Sequence, residues 1–361
     1  MNRLFWIDLI RVVSAFFVIT IHTCGRTAGG YDESGETLAW IVSKCYHDLS
    51  HVAVPLFVMI SGVLLLGRNE EPIPFYRKRF GKVLWPFLAW CCIYIFCRWL
   101  NGQGLADETP ITLTSSVGAI LSHNINGHFW FMYMLISLYL VAPFLSVFVR
   151  HASKYMLSVF LILCFFAVVL FPVINHFAKE ALEISKINFQ FEFVSRWVGF
   201  FIAGYVLKDC LISKRQTAIA FVLWFCLSIA KPVNVYLGTS SHPTLVSLCD
   251  FLGNYVFSIV SHQVVLSLLA FLVLRSLGDL PSLPSSRLGR MISGIAPLTF
   301  GIYLSHMLIV TPVMKKLALG SCESWAVVLF AVPILTLLIY LVTAVMVSLI
   351  RRIRYLRFLA P

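Results

Sequence analysis

The sequence predicts an all-α, polytopic integral membrane bundle of about ten transmembrane helices with both termini cytosolic. Three observations predict it. Of 361 residues, 59% are hydrophobic and only 12% are charged, a balance that soluble domains do not carry. The apolar residues fall in runs suited to crossing a bilayer, at roughly 4–24, 51–67, 83–100, 129–149, 155–175, 193–208, 216–232, 251–274, 296–318 and 325–350. Most Lys and Arg lie in alternate connecting segments, such as Arg77, Lys78, Arg79 and Lys82 after the second run and Arg351, Arg352, Arg354 and Arg357 after the last. Positive residues stay on the cytosolic side, so this alternation, with an even number of spans, puts both ends inside.

The same distribution explains the net charge of +12 as topology, so no nucleic-acid partner is expected. The first run has charges within it and no small-residue cleavage site after it, which reads as a retained span and not a signal peptide. The expected external loops, about 25–50, 101–128, 176–192, 233–250 and 319–324, are too short for a folded domain. Residues 1–361 therefore read as one transmembrane domain without a soluble appendage. The stretch 281–290 reads as a cytosolic linker, and the terminal RRIRYLR as an anchor to anionic lipid heads. Ten cysteines are scattered with no CxxC pair and suit buried thiols; Cys24 and Cys45 flank the first external loop, where a disulfide is compatible with the spacing. A homo-oligomer is equally compatible with this pattern.

The first span, LFWIDLIRVVSAFFVITIHTC, is the most informative stretch because it carries Asp8, Arg11 and His22. Ionisable groups inside a bilayer are costly and mark function by default. Arg11 and His22 are eleven residues apart, about three turns or roughly 16 Å along one stripe. Asp8 lies one turn before Arg11 on nearly the same side. A charged group at the rim and an imidazole deep below it describe a lined path. Burial keeps such an imidazole neutral, which suits a general base. The bland reading is an Asp8–Arg11 ion pair and a histidine hydrogen-bonded in the bundle.

Other stretches carry weaker signals. Ser61–Gly62 near the middle of the second span permits close helix approach or leaves room for a ligand chain. Arg77, Arg79 and Lys82 gather where the third span is expected to start, and a helix N-terminus there would also favour phosphate. The entrance to the fourth span, HNINGHFWFMYML, places His123, His128 and Trp130 at the expected external surface, as an aromatic belt or a rim for a glycan. No carboxylate or Cys lies at a useful spacing from those histidines, so no metal is expected. His262 and His306 lie at mid-depth, and each alone reads as a packing residue. Glu192 and Arg196 read as an i,i+4 structural pair.

Taken together, these residues resemble the acyltransferase-3 family of membrane O-acyltransferases. The family's arginine, ten residues, then histidine corresponds to Arg11 and His22. FVMISGVLL (Phe57 to Leu65) is similar to its second-helix signature. Its pair of arginines before the third helix maps to Arg79 and Lys82, where lysine keeps the charge but loses the planar fork. The runs Trp130 to Pro143, Gly204 to Leu207 and Thr299 to His306 also resemble the family, in order along nearly the whole chain. Within it the chain resembles the O-acetyltransferases of enterobacterial common antigen.

The resemblance implies transfer of an acetyl group from cytosolic acetyl-CoA to a hydroxyl of a cell-envelope glycan or lipid-linked sugar, in a bacterial inner membrane. Arg11, Arg77, Arg79 and Lys82 would hold the CoA phosphates, and the pantetheine arm would pass Ser61 and Gly62. His22 would act as base with Arg11 and Asp8 supporting it, and His128, Trp130, Tyr303 and His306 would face the acceptor. An acyl-histidine intermediate is the variant of this scheme. The competing class is a transporter or flippase of a lipid-linked saccharide without acyl chemistry, for which matched broken helices in repeated halves would be expected; a scaffold that has lost activity is a third, which the intact Arg11/His22 pair opposes.

Overall fold

The run from Phe5 to Ala28 forms one unbroken helix, α1, as its lack of proline and its apolar length dictate. In this computed structural model, residues 4–28, 37–105, 109–182, 192–239, 242–253, 259–317, 322 and 324–361 are described. The helices after α1 are α2 (Leu38–Ser50), α3 (Ala53–Leu65), α4 (Pro72–Leu100), α5 (Leu113–Leu121), α6 (Trp130–His151), α7 (Lys154–Leu182) and α8 (Glu192–Leu207). They continue as α9 (Lys214–Leu237), α10 (Pro243–Phe251), α11 (Ile259–Gly278), α12 (Ser282–Ser285), α13 (Arg287–Ile295), α14 (Thr299–Ser305), α15 (Met307–Leu317) and α16 (Trp325–Arg352). No strand occurs among the described residues.

Six of these stretches are long and apolar enough to cross a membrane: Phe5–Gly25, Leu38–Leu65, Pro72–Leu100, Gly127–His151, Lys214–Leu237 and Trp325–Arg352. Arg287–Ser305 and Met307–Leu317 are together also apolar enough, but they meet at a 62° bend, the geometry of a broken span or a re-entrant loop. Three shorter apolar helices, Lys154–Phe166, Arg196–Leu207 and Gln263–Gly278, overlap other expected runs.

Several expected connecting segments are helical instead, α5 and α10 in expected external loops among them. The second span begins at Leu38, not near 51, because 38–50 is helix and not external loop. Lys44, His47 and Asp48 depress its hydropathy, yet Thr37 caps it by accepting from the Trp40 amide at 3.2 Å. Lys44 and Asp48 then pair one turn apart at 3.8 Å. The third span begins at Pro72, a residue suited to a helix's first turn, so the basic cluster lies on the flank of α4 and not at its N-terminus. The 281–290 linker folds into α12 and α13, the latter capped by Ser286, which accepts from the Gly289 amide at 2.9 Å. Cys24 and Cys45 are both free thiols, so the disulfide does not form. Ser43 occupies that joint instead, donating to the Cys24 carbonyl at 3.0 Å.

α1 lies at the centre, packed against α2, α3, α11, α13, α14, α15 and α16. At its start Trp6 meets Phe271 edge-on at 6.0 Å, and the Arg275 guanidinium lies 4.7 Å over the Trp6 ring. Hydroxyls inside the helices return to their own backbone: Thr23 to Ile19, Ser228 to Trp224 and Thr343 to Ile339. That satisfies polar groups where lipid offers no partner.

α3 and α8 approach each other closely. A Cβ added at Gly62 would lie 1.8 Å from the Phe201 carbonyl oxygen, and one at Gly204 would lie 2.0 Å from that of Met59. Glycine here lets two backbones touch, as small residues do in membrane interfaces. Gly62→Ala or Gly204→Ala is expected to destabilise the bundle by about 1–3 kcal/mol or more through overpacking. Thermal unfolding of detergent-solubilised protein checks this, with Gly118→Ala, where nothing lies within 4 Å, remaining near wild type.

Candidate active site

The site begins with charge neutralisation on α1. Asp8 is 2% exposed and its Oδ1 lies 3.9 Å from Arg11 Nη1. Arg11 then faces a cavity of about 350 Å³ that Arg79 and Lys82 of α4 also line. Ser61 and Tyr139 line it as well, and it reaches Phe131 and Tyr303. Arg79 lies 3.9 Å from Glu70, which also takes Lys78 at 3.8 Å. The cavity is thus cationic toward one part of its wall and aromatic toward another.

Beyond Tyr303 lie three imidazoles. His22 is 5.2 Å from His306 and 6.3 Å from His128, and His128 is 5.0 Å from His306, ring centre to ring centre. None of the three lines the cavity itself. Tyr303 is the shared wall, its ring 5.7 Å from His128 and 6.0 Å from His306, with Phe131 5.1 Å from it.

A broken helix builds this cluster. α14 stops at Ser305, and the chain turns through His306 before α15 resumes. A break frees carbonyls that an unbroken helix would have paired. The His306 Nδ1 meets the Tyr303 carbonyl at 2.7 Å, and the Tyr94 hydroxyl donates to the Leu304 carbonyl at 3.1 Å. Since a carbonyl only accepts, Nδ1 of His306 carries the proton and Nε2 keeps its lone pair. That Nε2 is buried without a hydrogen-bond partner, as is Nε2 of His128. The Tyr303 hydroxyl donates to the His128 backbone carbonyl, and Asn126 Oδ1 lies 3.0 Å from His128 Nδ1. The acceptor nitrogen of His306 is therefore held in fixed orientation beside His22.

The structure sorts the expected residues. His128 is not at a surface; it is 4% exposed, because the tight turn Gly127–Phe129 tucks it under α6. Tyr303 and His306 join it, also buried. Trp130 stays partly exposed and packs against Trp197 at 5.5 Å. Ser61 lines the cavity, but Gly62 faces α8 and serves packing, so the pair divides its duties. Arg79 and Lys82 line the cavity, whereas Arg77 is exposed and does not. Arg196 bonds Gln263 of α11, while the side chains of Glu192 and His262 lie outside the described residues. Tyr139 and Thr299 line the cavity and were not singled out, since both sit in apolar runs that read as plain span.

Over residues 4–350 the chain matches the family model described as an acyltransferase domain, that of the acyltransferase-3 family. It belongs to that family, and with its apolar helices it is a multi-pass membrane acyltransferase. No curated protein and no solved structure matches the chain.

Tyr303→Phe removes the donor to the His128 carbonyl and leaves that buried acceptor unpaired, which is expected to cost about 1–3 kcal/mol. The check is a lowered unfolding temperature for Tyr303→Phe; an unfolding temperature equal to that of the wild type would deny that the hydroxyl holds this carbonyl.

Proposed function

We propose that this acyltransferase-3 chain moves an acetyl group from cytosolic acetyl-CoA to a hydroxyl of a cell-envelope glycan or lipid-linked sugar, in a bacterial inner membrane. The observation that carries the reading is the cavity that runs from Arg11, Arg79 and Lys82 to Tyr303, which backs directly onto His128 and His306. Three cations suit the phosphates of the donor. The cavity wall past Ser61 would take its pantetheine arm. Within an arrangement of ten spans, the positive-inside distribution supports both termini and the basic cluster facing the cytosol.

The step is direct transfer. The acceptor hydroxyl gives its proton to His22 as its oxygen attacks the thioester carbon. The carbon–sulfur bond then breaks, and the CoA thiolate takes the proton back from His22. The products are the acetyl ester and CoA. Asp8 holds Arg11 and does not reach His22, which lies about 20 Å further along the helix at 1.5 Å per residue. His306 orients the acceptor through its unpaired Nε2, with His128 packed beside it and Trp130 as the outer rim. The glycan acceptor rests on the resemblance of the sequence motifs to O-acetyltransferases of enterobacterial common antigen.

A saccharide transporter is the other class with buried charge. Matched broken helices would support it, and the described residues contain a single such bent helix pair. Binding of acetyl-CoA to the purified protein separates the two, because a flippase has no use for a CoA-sized basic cavity.

His22→Ala is expected to lower acetyl transfer by about 10²–10⁴-fold, the usual worth of a general base. Normal turnover in a well-folded variant would remove His22 from the chemistry. Arg79→Ala should raise the KM for acetyl-CoA by about tenfold or more, the loss of one charge-assisted contact. Arg77→Ala should leave KM unchanged, since that side chain lies outside the cavity.

A further inference from the structure

A second polar cavity, of about 140 Å³, shares no lining residue with the one above. It is lined by Lys44, His47, Asp48, His51, Lys231 and Gln263. We propose that His47, Asp48 and His51 bind a divalent transition metal of zinc's class. The run His47–Asp48–Leu49–Ser50–His51 puts two histidines one helical turn apart on a single face, the spacing at which helical imidazoles share a metal. Their rings lie 4.2 Å apart, and one ligand atom from each of the three residues falls within 4.8 Å of the others.

The surrounding hydrogen bonds prepare the donors. His51 Nδ1 meets the His47 carbonyl at 3.2 Å, so Nδ1 holds the proton and Nε2 presents its lone pair. His47 Nδ1 lies 3.2 Å from Asp48 Oδ1. The other carboxylate oxygen, Oδ2, is buried without a hydrogen-bond partner in a residue only 8% exposed. A bare carboxylate oxygen inside a membrane bundle is costly, and a cation at that point relieves it. An anion in the same cavity would sit against that bare oxygen, which argues against one. Two imidazoles and a carboxylate form the three-ligand set of an open zinc site, and imidazole suits zinc, copper and nickel over magnesium or calcium.

Two ammonium groups oppose the metal. Lys44 Nζ is 3.8 Å from Asp48 Oδ1, and Lys231 stands on the cavity wall. The site is accordingly an exchangeable one, in which the metal displaces Lys44 from the carboxylate. His51 sits where α2 gives way to α3, and Gln263 of α11 donates to its carbonyl at 3.1 Å. Metal held there would clamp the α2–α3 joint.

The test uses the full chain, purified in detergent with a tag free of histidine and titrated with zinc chloride. Metal content after equilibrium dialysis should show one equivalent that Asp48→Asn and the His47→Ala/His51→Ala double variant lose, with affinity reduced tenfold or more. Lys44→Ala should bind several-fold more tightly, because the competing ammonium is gone. Zinc should also raise the unfolding temperature of the wild type and not that of Asp48→Asn, a variant that keeps the side-chain shape. Equal zinc binding by wild type and Asp48→Asn, or equal thermal protection of both, would overturn the proposal. Acetyl transfer does not enter these readouts, so their failure leaves the proposed function standing.

Discussion

The constraint on which this structure depends is the cost of keeping ionisable groups on one helix inside lipid. Arg11, Asp8 and His22 cannot face hydrocarbon, so α1 must be surrounded. It is, by α2, α3, α11 and the segments from α13 to α16. Asp8 neutralises Arg11 within α1, and the cavity shared with Arg79 and Lys82 supplies a polar outlet. His22 needs other polar company, and the broken helix provides it. Breaking a helix in a membrane is itself expensive, since freed carbonyls find no water. Here the freed carbonyls of Tyr303 and Leu304 are taken by His306 and Tyr94, so the break and the imidazole cluster stabilise one another.

How much of this was legible in the sequence follows from which signals are local. The Arg11–His22 stripe was legible because both residues belong to one helix, where spacing alone fixes the face. The apolar runs were legible for the same reason. The start of α4 could have been read from Pro72 behind Glu71, but the dense basic residues that follow resemble a loop. α2 was hidden more deeply. Lys44, His47 and Asp48 look like loop chemistry when each is weighed against water, and they become tolerable in the bundle only once paired with one another. The burial of His128 has no local signal at all. It depends on a three-residue turn and on Tyr303, 175 residues away, reaching its carbonyl. The break at His306 lacks the usual punctuation, since the nearest proline is Pro312, inside α15.

The two glycines of the α3–α8 contact show how packing and chemistry divide one short motif. Ser61 and Gly62 are adjacent, so on a helix they point about 100° apart. Ser61 turns to the cavity and returns its hydroxyl to the Phe57 carbonyl at 2.8 Å. Gly62 turns to Phe201 of α8. A larger residue at Gly62 would push α3 away from α8 and so shift Ser61 and the cavity wall with it. The small residue thus serves the site through geometry without touching anything in it.

The floor of the basic cavity extends the same logic to the end of the chain. After α16 the chain turns back, Trp90 of α4 donates to the Leu359 carbonyl at 2.9 Å, and Leu359 and Ala360 are buried. Ala360 packs where a side chain at Gly301 would stand, 2.9 Å from its Cβ, and Pro361 lines the cavity beside Arg11. The exposed arginines 352, 354 and 357 can still meet lipid heads, but the residues after them are held by protein. One cavity is therefore walled by the first helix, by α3, α4 and α6, by the break region and by the tail. Residues about 350 positions apart in sequence meet at one charged surface. Such a site closes only when the bundle does, so the cations of α1 and α4 gather into one pocket as a consequence of folding and cannot be assembled by either helix alone.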